Sequence, residues 1–195
     1  GSEMCIRDRL EDKDWSQEWK KYFSPLKCGD RLWICPSWIA PPDPDAINLS
    51  LDPGLAFGTG SHPTTHLCLR WLDKQDLAGQ TVIDYGCGSG ILGIAALLLG
   101  AERVIAVDND PQALLATRDN AQRNNIAAER LETYLPDQVP ANSVGHTMLA
   151  NILAAPLITL APTLTAMTAA NGNLCLSGLL EHQIDAVCAP YRDDF

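Results

Sequence analysis

One stretch, residues 82–108, restricts the fold of this chain more than any other. An apolar strand at 82–85 runs into the loop Gly86-Cys87-Gly88-Ser89-Gly90, and an apolar helix follows at once. A second apolar strand then ends at Asp108. Glycines let the backbone turn sharply and approach a ligand closely, and an acid after the second strand can accept hydrogen bonds from both ribose hydroxyls. The whole unit is typical of a nucleoside site, whereas the glycines alone would indicate only a tight turn.

The remainder of the chain alternates apolar strands with helices, which predicts a parallel sheet covered on both faces. Asp110 followed by Pro111 marks a helix start, because the aspartate caps free N–H groups and proline fits the first turn. We therefore predict an α/β fold with a mostly parallel central sheet flanked by helices. The expected strands are 31–35, 82–85, 103–107, 130–134, 144–150 and 173–177, and the expected helices are 10–24, 91–99, 111–123, 157–167 and 181–189.

Charge limits the range of partners. The chain has 14 Lys and Arg against 24 Asp and Glu, for a formal net charge of -10, and no lysine follows Lys74. A basic face that follows phosphates is not expected, and neither is direct nucleic-acid binding. An acidic surface suits a basic protein or a small ligand, and it equally suits a surface that charge keeps soluble.

Cysteine spacing and hydropathy bear on the compartment. The seven cysteines are scattered and form no C-x-x-C pair, so neither a disulfide framework nor a zinc site is expected, and a reducing cytoplasm is favoured. Residues 138–180 carry no charged side chain. Because prolines, Asn151 and an Asn171-Gly172-Asn173 turn interrupt them, we expect buried strands and a helix there, and no membrane span.

The glycine spacing narrows the choice of nucleoside ligand. A dinucleotide fingerprint needs G-x-G-x-x-G, but the third glycine position counted from Gly86 is Ile91. A nucleotide-hydrolysing loop needs a lysine that this region lacks. The observed G-x-G-x-G pattern resembles that of class I methyltransferases, which use S-adenosylmethionine and release S-adenosylhomocysteine.

Flanking motifs make the resemblance more specific. They are the segment Asp52 to Thr65 (DPGLAFGTGSHPTT), the segment Ile83 to Leu92 (IDYGCGSGIL) and Ala150-Asn151-Ile152-Leu153, with further similarity at 33–38 and 176–180. In this order they resemble the ribosomal protein L-eleven methyltransferase family, PrmA, from about Leu10 to the end of the chain. The resemblance implies a Rossmann-like class I methyltransferase fold. It also implies an enzyme that methylates lysine side-chain amines and an N-terminal amine of a basic ribosomal large-subunit protein.

The resemblance also implies roles for individual residues. Asn151 would be catalytic, its amide oxygen accepting hydrogen bonds from the incoming amine and aiming the amine lone pair at the methyl carbon. The residues implied to bind the cofactor are Phe57, Thr59, Gly60, Thr65, Gly86, Gly88, Asp108 and Asn151.

Simpler roles are open for some of these positions. Thr65 could just pack in a helix that begins at Pro63, and Asn151 could be a turn residue that ends a strand. His62 and His66 lie four apart, but no H-E-x-x-H pattern is present, so we expect His62 to cap the helix and no metal to bind.

We divide the chain into a foreign segment at 1–9, a linker helix with an entry strand and loop at 10–50, and an S-adenosylmethionine-binding core at 51–195. The family's N-terminal substrate-recognition domain is expected to be absent, and the resemblance implies truncation at both ends. Two alternatives to an amine methyltransferase of a ribosomal protein stay open. One is a non-catalytic cofactor-binding fragment, and the other is a related methyltransferase with another protein or a small amine as substrate.

Overall fold

The structure is a computed structural model that describes Lys20 and residues 23–52 and 60–195. Most of the helix predicted at 10–24 lies outside these residues. The strands within them are β1 (Leu26–Cys28), β2 (Leu32–Cys35), β3 (Ile47–Ser50), β4 (Thr81–Tyr85), β5 (Arg103–Val107), β6 (Leu131–Tyr134), β7 (Gly145–Asn151) and β8 (Thr168–Ser177). The α-helices within them are α1 (Pro63–Leu72), α2 (Ile91–Leu98), α3 (Pro111–Arg123), α4 (Ala154–Thr159), α5 (Ala161–Ala166) and α6 (Ile184–Cys188).

The central sheet has five strands in the order β6-β5-β4-β7-β8. Each neighbouring pair is parallel, so all five carboxyl ends lie at one edge. The order reverses at β4, because β5 and β6 extend to one side of it and β7 and β8 to the other. Ligands of open parallel sheets bind at such a reversal, outside the carboxyl ends of the strands.

Side chains alternate along the central strands and fill two hydrophobic clusters, one on each face of the sheet. Val82 and Leu149 belong to the first cluster, with α2 and α3. Ile83 and Met148 belong to the second, with α4, α5 and α6. The predicted α/β fold, a parallel sheet covered by helices on both faces, is therefore confirmed.

The first cluster also includes a small sheet, of which only the strand at 31–35 was predicted from the sequence. Its order is β1-β2-β3, with β1 antiparallel and β3 parallel to β2. Leu32 and Leu49 of this sheet are fully buried in the same cluster as α2. Because α2 lies between two apolar layers, it is apolar on all sides.

Two other predicted elements differ in detail. The single helix expected at 157–167 is two short helices that meet at Leu160, because Pro162 occupies the first turn of α5 and cannot continue a helix from α4. The strand β8 begins five residues earlier than expected, at Thr168, and its pairing with β7 shifts register after Gly145. Asn171, with a φ of 61°, lies in this irregular stretch.

The helix expected at 181–189 is a 3-10 turn at Glu181–Gln183, then α6, then a 3-10 turn at Ala189–Tyr191. Within the described ranges, no helix is long and apolar enough to cross a membrane.

Candidate functional site

Three strands that are neighbours in the central sheet bring the residues of the candidate site together. Gly86 follows β4, Asp108 follows β5 and Asn151 ends β7, and these strands are neighbours in the order β5-β4-β7. Because the strands are parallel, the three residues lie along the same edge of the sheet, where the chain order reverses.

The glycine loop depends on backbone conformations that favour glycine. Gly86, Gly88 and Gly90 have φ angles of 81°, 55° and 79°. The N–H groups of Gly86 and Cys87 both donate to the Val107 carbonyl, at 2.7 and 3.0 Å. The loop is thereby tied to the end of the neighbouring strand β5, right beside Asp108.

Asp108 is half-buried and connects the glycine loop to the residues that begin α3. Its Oδ2 accepts from the Gly88 N–H at 2.9 Å, and its Oδ1 accepts from the Asp110 N–H at 3.0 Å. A carboxylate oxygen has two lone pairs, so each oxygen keeps one beyond these bonds. The remaining lone pairs can accept two further hydrogen bonds, as a ribose diol requires.

Two side chains of the helix α3 donate hydrogen bonds to the glycine loop. Neither was predicted from the sequence. The buried Thr117 hydroxyl donates to the Gly88 carbonyl at 3.1 Å, and the Asn120 amide donates to the Ser89 carbonyl at 2.8 Å. Both bonds join residues about 30 positions apart in the chain. No local motif signals such a contact.

Asp84 is a third missed residue, inside β4 and only 1 % exposed. Its Oδ2 accepts from the Gly93 N–H of α2 at 3.0 Å. The pKa of Asp84 is raised to about 7, chiefly because burial disfavours the charged form and in smaller part because of the nearby Asp108 charge, while the Gly93 hydrogen bond lowers it. The signal in the sequence was a lone acid within an otherwise apolar strand.

Asn151 and Thr65 lie in contact, although 86 positions separate them. The Asn151 Nδ2 donates to the Thr65 Oγ1 at 3.1 Å. The Asn151 Oδ1 is buried and has no hydrogen-bond partner within the described part of the chain. An unpaired buried acceptor costs about 1–3 kcal/mol, so this oxygen is suited to a donor that arrives with a ligand.

Ile152, in the loop after β7, packs against the loops after β4 and β8 and so places Asn151 next to the glycine loop. The Ile152 Cγ2 lies 2.2 Å from where a Cβ on Gly86 would be, so a larger residue than glycine does not fit at 86. A Cβ on Gly178 would meet the Ile152 carbonyl oxygen at 2.3 Å. The loops after β4, β7 and β8 therefore form one packed layer at the edge of the sheet.

The segment before α1 is described only in part. Phe57 and Thr59, both predicted to bind a cofactor, lie outside the described residues. Gly60 has a φ of 81°, and a Cβ there would lie 3.2 Å from Ile91 Cδ1, next to the glycine loop.

The two histidines of the same segment make separate contacts. The His62 ring accepts from the Thr64 N–H at 3.4 Å and caps α1, which confirms the predicted helix cap. His66 Nδ1 lies 3.4 Å from Cys28 Sγ. Among the described residues, no group of three His, Cys, Asp or Glu side chains is arranged to hold a metal ion.

These features fit a nucleoside sulfonium ligand. The acid beside the glycine loop can accept a ribose diol, and the Asn151 amide oxygen, which has no partner among the described residues, can accept a hydrogen bond from a ligand or substrate. The sequence matches the family model described as ribosomal protein L11 methyltransferase (PrmA) over residues 2–195. The chain belongs to this family.

Individual relatives agree with the family match. The chain is 61 % identical over 188 residues to the ribosomal protein L11 methyltransferase of Cellvibrio japonicus (strain Ueda107), covering 96 % of this chain and 64 % of the relative. It is 62 % identical over 183 residues to that of Teredinibacter turnerae (strain ATCC 39867 / T7901), covering 94 % and 61 %. The chain thus spans less than two thirds of the length of these curated relatives.

A solved structure shows the same architecture. The crystal structure of ribosomal protein L11 methylase from Lactobacillus delbrueckii subsp. bulgaricus superposes with a TM-score of 0.78 at 32 % identity, covering 88 % of this chain and 89 % of that one. The fold is therefore the Rossmann-like fold of class I methyltransferases.

Proposed function

We propose that this chain is the S-adenosylmethionine-binding core of an enzyme that methylates amines of a ribosomal large-subunit protein, namely lysine side chains and an N-terminal amine. The observation that carries the proposal is the buried Oδ1 of Asn151, which has no partner among the described residues and lies beside a glycine loop and an acid suited to a ribose. S-adenosylmethionine would supply a sulfonium methyl group, whose carbon a neutral amine attacks in line as S-adenosylhomocysteine leaves.

Each residue has one task in this proposal. Asp108 accepts the ribose hydroxyls with the lone pairs that Gly88 and Asp110 leave unused. Gly86 and Gly88 let the backbone approach the methionine part of the cofactor, and Gly60 and Thr65 lie against it. The family resemblance implies the same role for Phe57 and Thr59. Asn151 accepts an N–H of the amine, which turns the amine lone pair towards the methyl carbon. Such orientation lowers the barrier because the reacting atoms are already aligned.

The amide of Asn151 suits a nucleophile that must be neutral. A free lysine amine has a pKa near 10.4 and is almost entirely protonated at neutral pH. A carboxylate at position 151 would stabilise the protonated amine, which has no lone pair to offer. An amide oxygen accepts a hydrogen bond without adding charge, so it holds the amine while leaving the neutral form accessible.

The partner and compartment follow from the same reasoning. With a net charge of -10, the chain is complementary to a basic ribosomal protein and not to a phosphate backbone. We propose a cytoplasmic location, where ribosomal proteins and reduced cysteines occur. The division into a linker up to residue 50 and a core from residue 51 is part of the proposal.

Calorimetric titration of the purified chain with S-adenosylmethionine tests the cofactor site. We expect binding by the wild type, no binding of NAD, and affinity about 100-fold weaker in Asp108→Ala, because two hydrogen bonds to a charged acceptor are lost. Asp119→Ala, which removes an exposed acid on α3, should bind like the wild type.

Mass spectrometry of ribosomal protein L11 after incubation with the chain and S-adenosylmethionine tests the transfer. Methylated lysines or a methylated N-terminus are expected. Cofactor binding without transfer to this protein or to small amines would identify a non-catalytic S-adenosylmethionine-binding fragment instead.

A further inference from the structure

Thr65 is buried and hydrogen-bonded to the proposed catalytic residue Asn151, so it does more than pack in a helix. It is 1 % exposed, it lies in the first turn of α1, and its hydroxyl accepts a hydrogen bond from the Asn151 side chain at 3.1 Å. This bond engages the Nδ2 end of the Asn151 amide, whereas the Oδ1 end has no partner within the described ranges. The contact therefore fixes which end of the amide is available.

An asparagine side chain has two ends of opposite character. The Oδ1 accepts hydrogen bonds and the Nδ2 donates them, and a rotation of about 180° about the last side-chain bond exchanges them. If Nδ2 faced an incoming amine, it would donate to the amine lone pair and compete with bond formation. We propose that Thr65 is a positioning residue that holds the Asn151 carbonyl towards the amine. This inference rests on the proposed function and deepens it.

The position of Thr65 is itself held by the sheet. The hydroxyl of Ser177, at the end of β8, donates to the Thr64 carbonyl at 3.2 Å. Ser177 pairs in register with Asn151 across β7 and β8. The neighbouring strand thus anchors the first turn of α1 beside the residue that Thr65 orients, which keeps the Thr65 hydroxyl within reach of the amide.

The orientation of the amide defines the class of acceptor. In each transfer the amine lone pair forms the N–C bond, the S–C bond breaks with its electron pair passing to sulfur, and the product ammonium loses a proton to water. A neutral primary amine offers two N–H donors and a neutral secondary amine offers one, but a neutral tertiary amine offers none. The Thr65–Asn151 pair therefore serves the first and second transfers to a nitrogen, and contributes nothing to a third.

Thr65→Val, which keeps the shape and removes the hydroxyl, tests the inference, and Thr65→Ser restores the hydroxyl. The matched control is Thr147→Val, in the same strand as Asn151. It also removes a buried threonine hydroxyl, which donates to Gln80 Oε1 at 2.9 Å in the wild type. Nitrogen-15 NMR of the Asn151 side chain reads the contact without any cofactor. We expect slowed exchange of its amide protons in the wild type, in Thr65→Ser and in Thr147→Val, and fast exchange in Thr65→Val.

Rates of each methylation step on ribosomal protein L11 supply the functional readout, by mass spectrometry. Thr65→Val should slow the first two transfers about fivefold to tenfold, the effect of one lost hydrogen bond. The affinity for S-adenosylmethionine should stay within about twofold of the wild type, because valine keeps the shape of the side chain that is proposed to lie against the cofactor. A third transfer should proceed at the wild-type rate. In an Asn151→Ala background, Thr65→Val should have no further effect, because the two residues act as one unit.

Other results would overturn the inference. Slow amide exchange in Thr65→Val would mean that Thr65 does not hold Asn151. Additive losses in the double variant, or a large loss of cofactor affinity with unchanged transfer rates, would mean that Thr65 acts on the cofactor directly. Failure of the proposed function has a different signature: the wild type would not methylate ribosomal protein L11, whereas the exchange of the Asn151 amide would still report the Thr65 contact.

Discussion

Asp84 illustrates how a single buried group sets a property of the folded state. It lies in the central strand β4, its carboxylate bonds the Gly93 N–H of α2, and its pKa is raised to about 7 from an ordinary value near 3.8. The folded chain consequently keeps this proton to a higher pH than the unfolded chain does. Its contribution to stability is complete below about pH 4 and is lost as pH rises through 7.

Asp84→Asn should therefore flatten the dependence of stability on pH. From pH 5.5 to pH 8, we expect the wild type to lose about 2 kcal/mol more than the variant, because asparagine does not titrate and its Oδ1 can still accept from Gly93. Urea unfolding of both proteins across this range measures the difference. Parallel curves of stability against pH would contradict the raised pKa of Asp84.

At the scale of elements, the glycine loop and α3 behave as one structural unit. A Cβ on Gly90 would lie 2.7 Å from Thr117 Cγ2 and 2.9 Å from its Oγ1, the atom that donates to the Gly88 carbonyl. A side chain at 90 would thus push against the residue that holds the loop. Gly79 has a similar φ, 70°, but a Cβ there would meet nothing within 4 Å.

The pair Gly90→Ala and Gly79→Ala separates backbone strain from this clash. Gly79→Ala should cost about 1 kcal/mol, the cost of a left-handed alanine, and leave cofactor affinity unchanged. Gly90→Ala should cost about 3 kcal/mol, because overpacking adds to that strain, and should weaken S-adenosylmethionine binding about tenfold. Urea unfolding and calorimetry measure both quantities, and equal effects of the two substitutions would refute a coupling between the loop and α3.

Elements whose signals are local were predicted well from the sequence. The strand at 103–107 and the helix at 111–123 have the expected bounds, because strand alternation, the Asp110 cap and the Asn124 stop are each encoded within a few residues. Of the small sheet, only β2 was predicted, as the strand at 31–35. The strands β1 and β3 have three and four residues, too few to show a pattern, and the pairing of β2 with β3 crosses a proline-rich segment.

The same distinction applies to the candidate site. Asp108 and the glycines follow from a contiguous motif, so the residues alone predicted a nucleoside site at this edge of the sheet. Thr65 and Asn151 were singled out only through the family resemblance, and their contact across 86 positions was not predicted. Thr117 and Asn120 were missed because only the packing of α3 on the loop gives them a role.

For the molecule as a whole, the small sheet packs against the helices of the proposed core, across the division placed at residue 51. Leu32, Ile34 and Leu49 share a hydrophobic cluster with α2. The end of β3 is also bonded to α3, since the Ser50 N–H donates to Asn124 Oδ1 at 2.7 Å and the Asn124 amide donates to the Ser50 carbonyl at 2.8 Å. These contacts cross the division proposed at residue 51 and favour cooperative unfolding of both parts.

Leu49→Ala tests that cooperativity, because Leu49 of β3 is fully buried in the cluster that the small sheet shares with α2. If both parts unfold together, the cavity should lower the free energy of unfolding by about 2–5 kcal/mol, and tryptophan fluorescence, which includes Trp33 of β2, should follow the same urea curve as circular dichroism at 222 nm. Leu115→Ala, at a side chain 46 % exposed on α3, should cost less than about 1 kcal/mol. Were the small sheet an independent unit, Leu49→Ala would instead produce an early fluorescence transition and leave the main dichroism transition in place, because the central sheet would then not depend on the layer that covers α2.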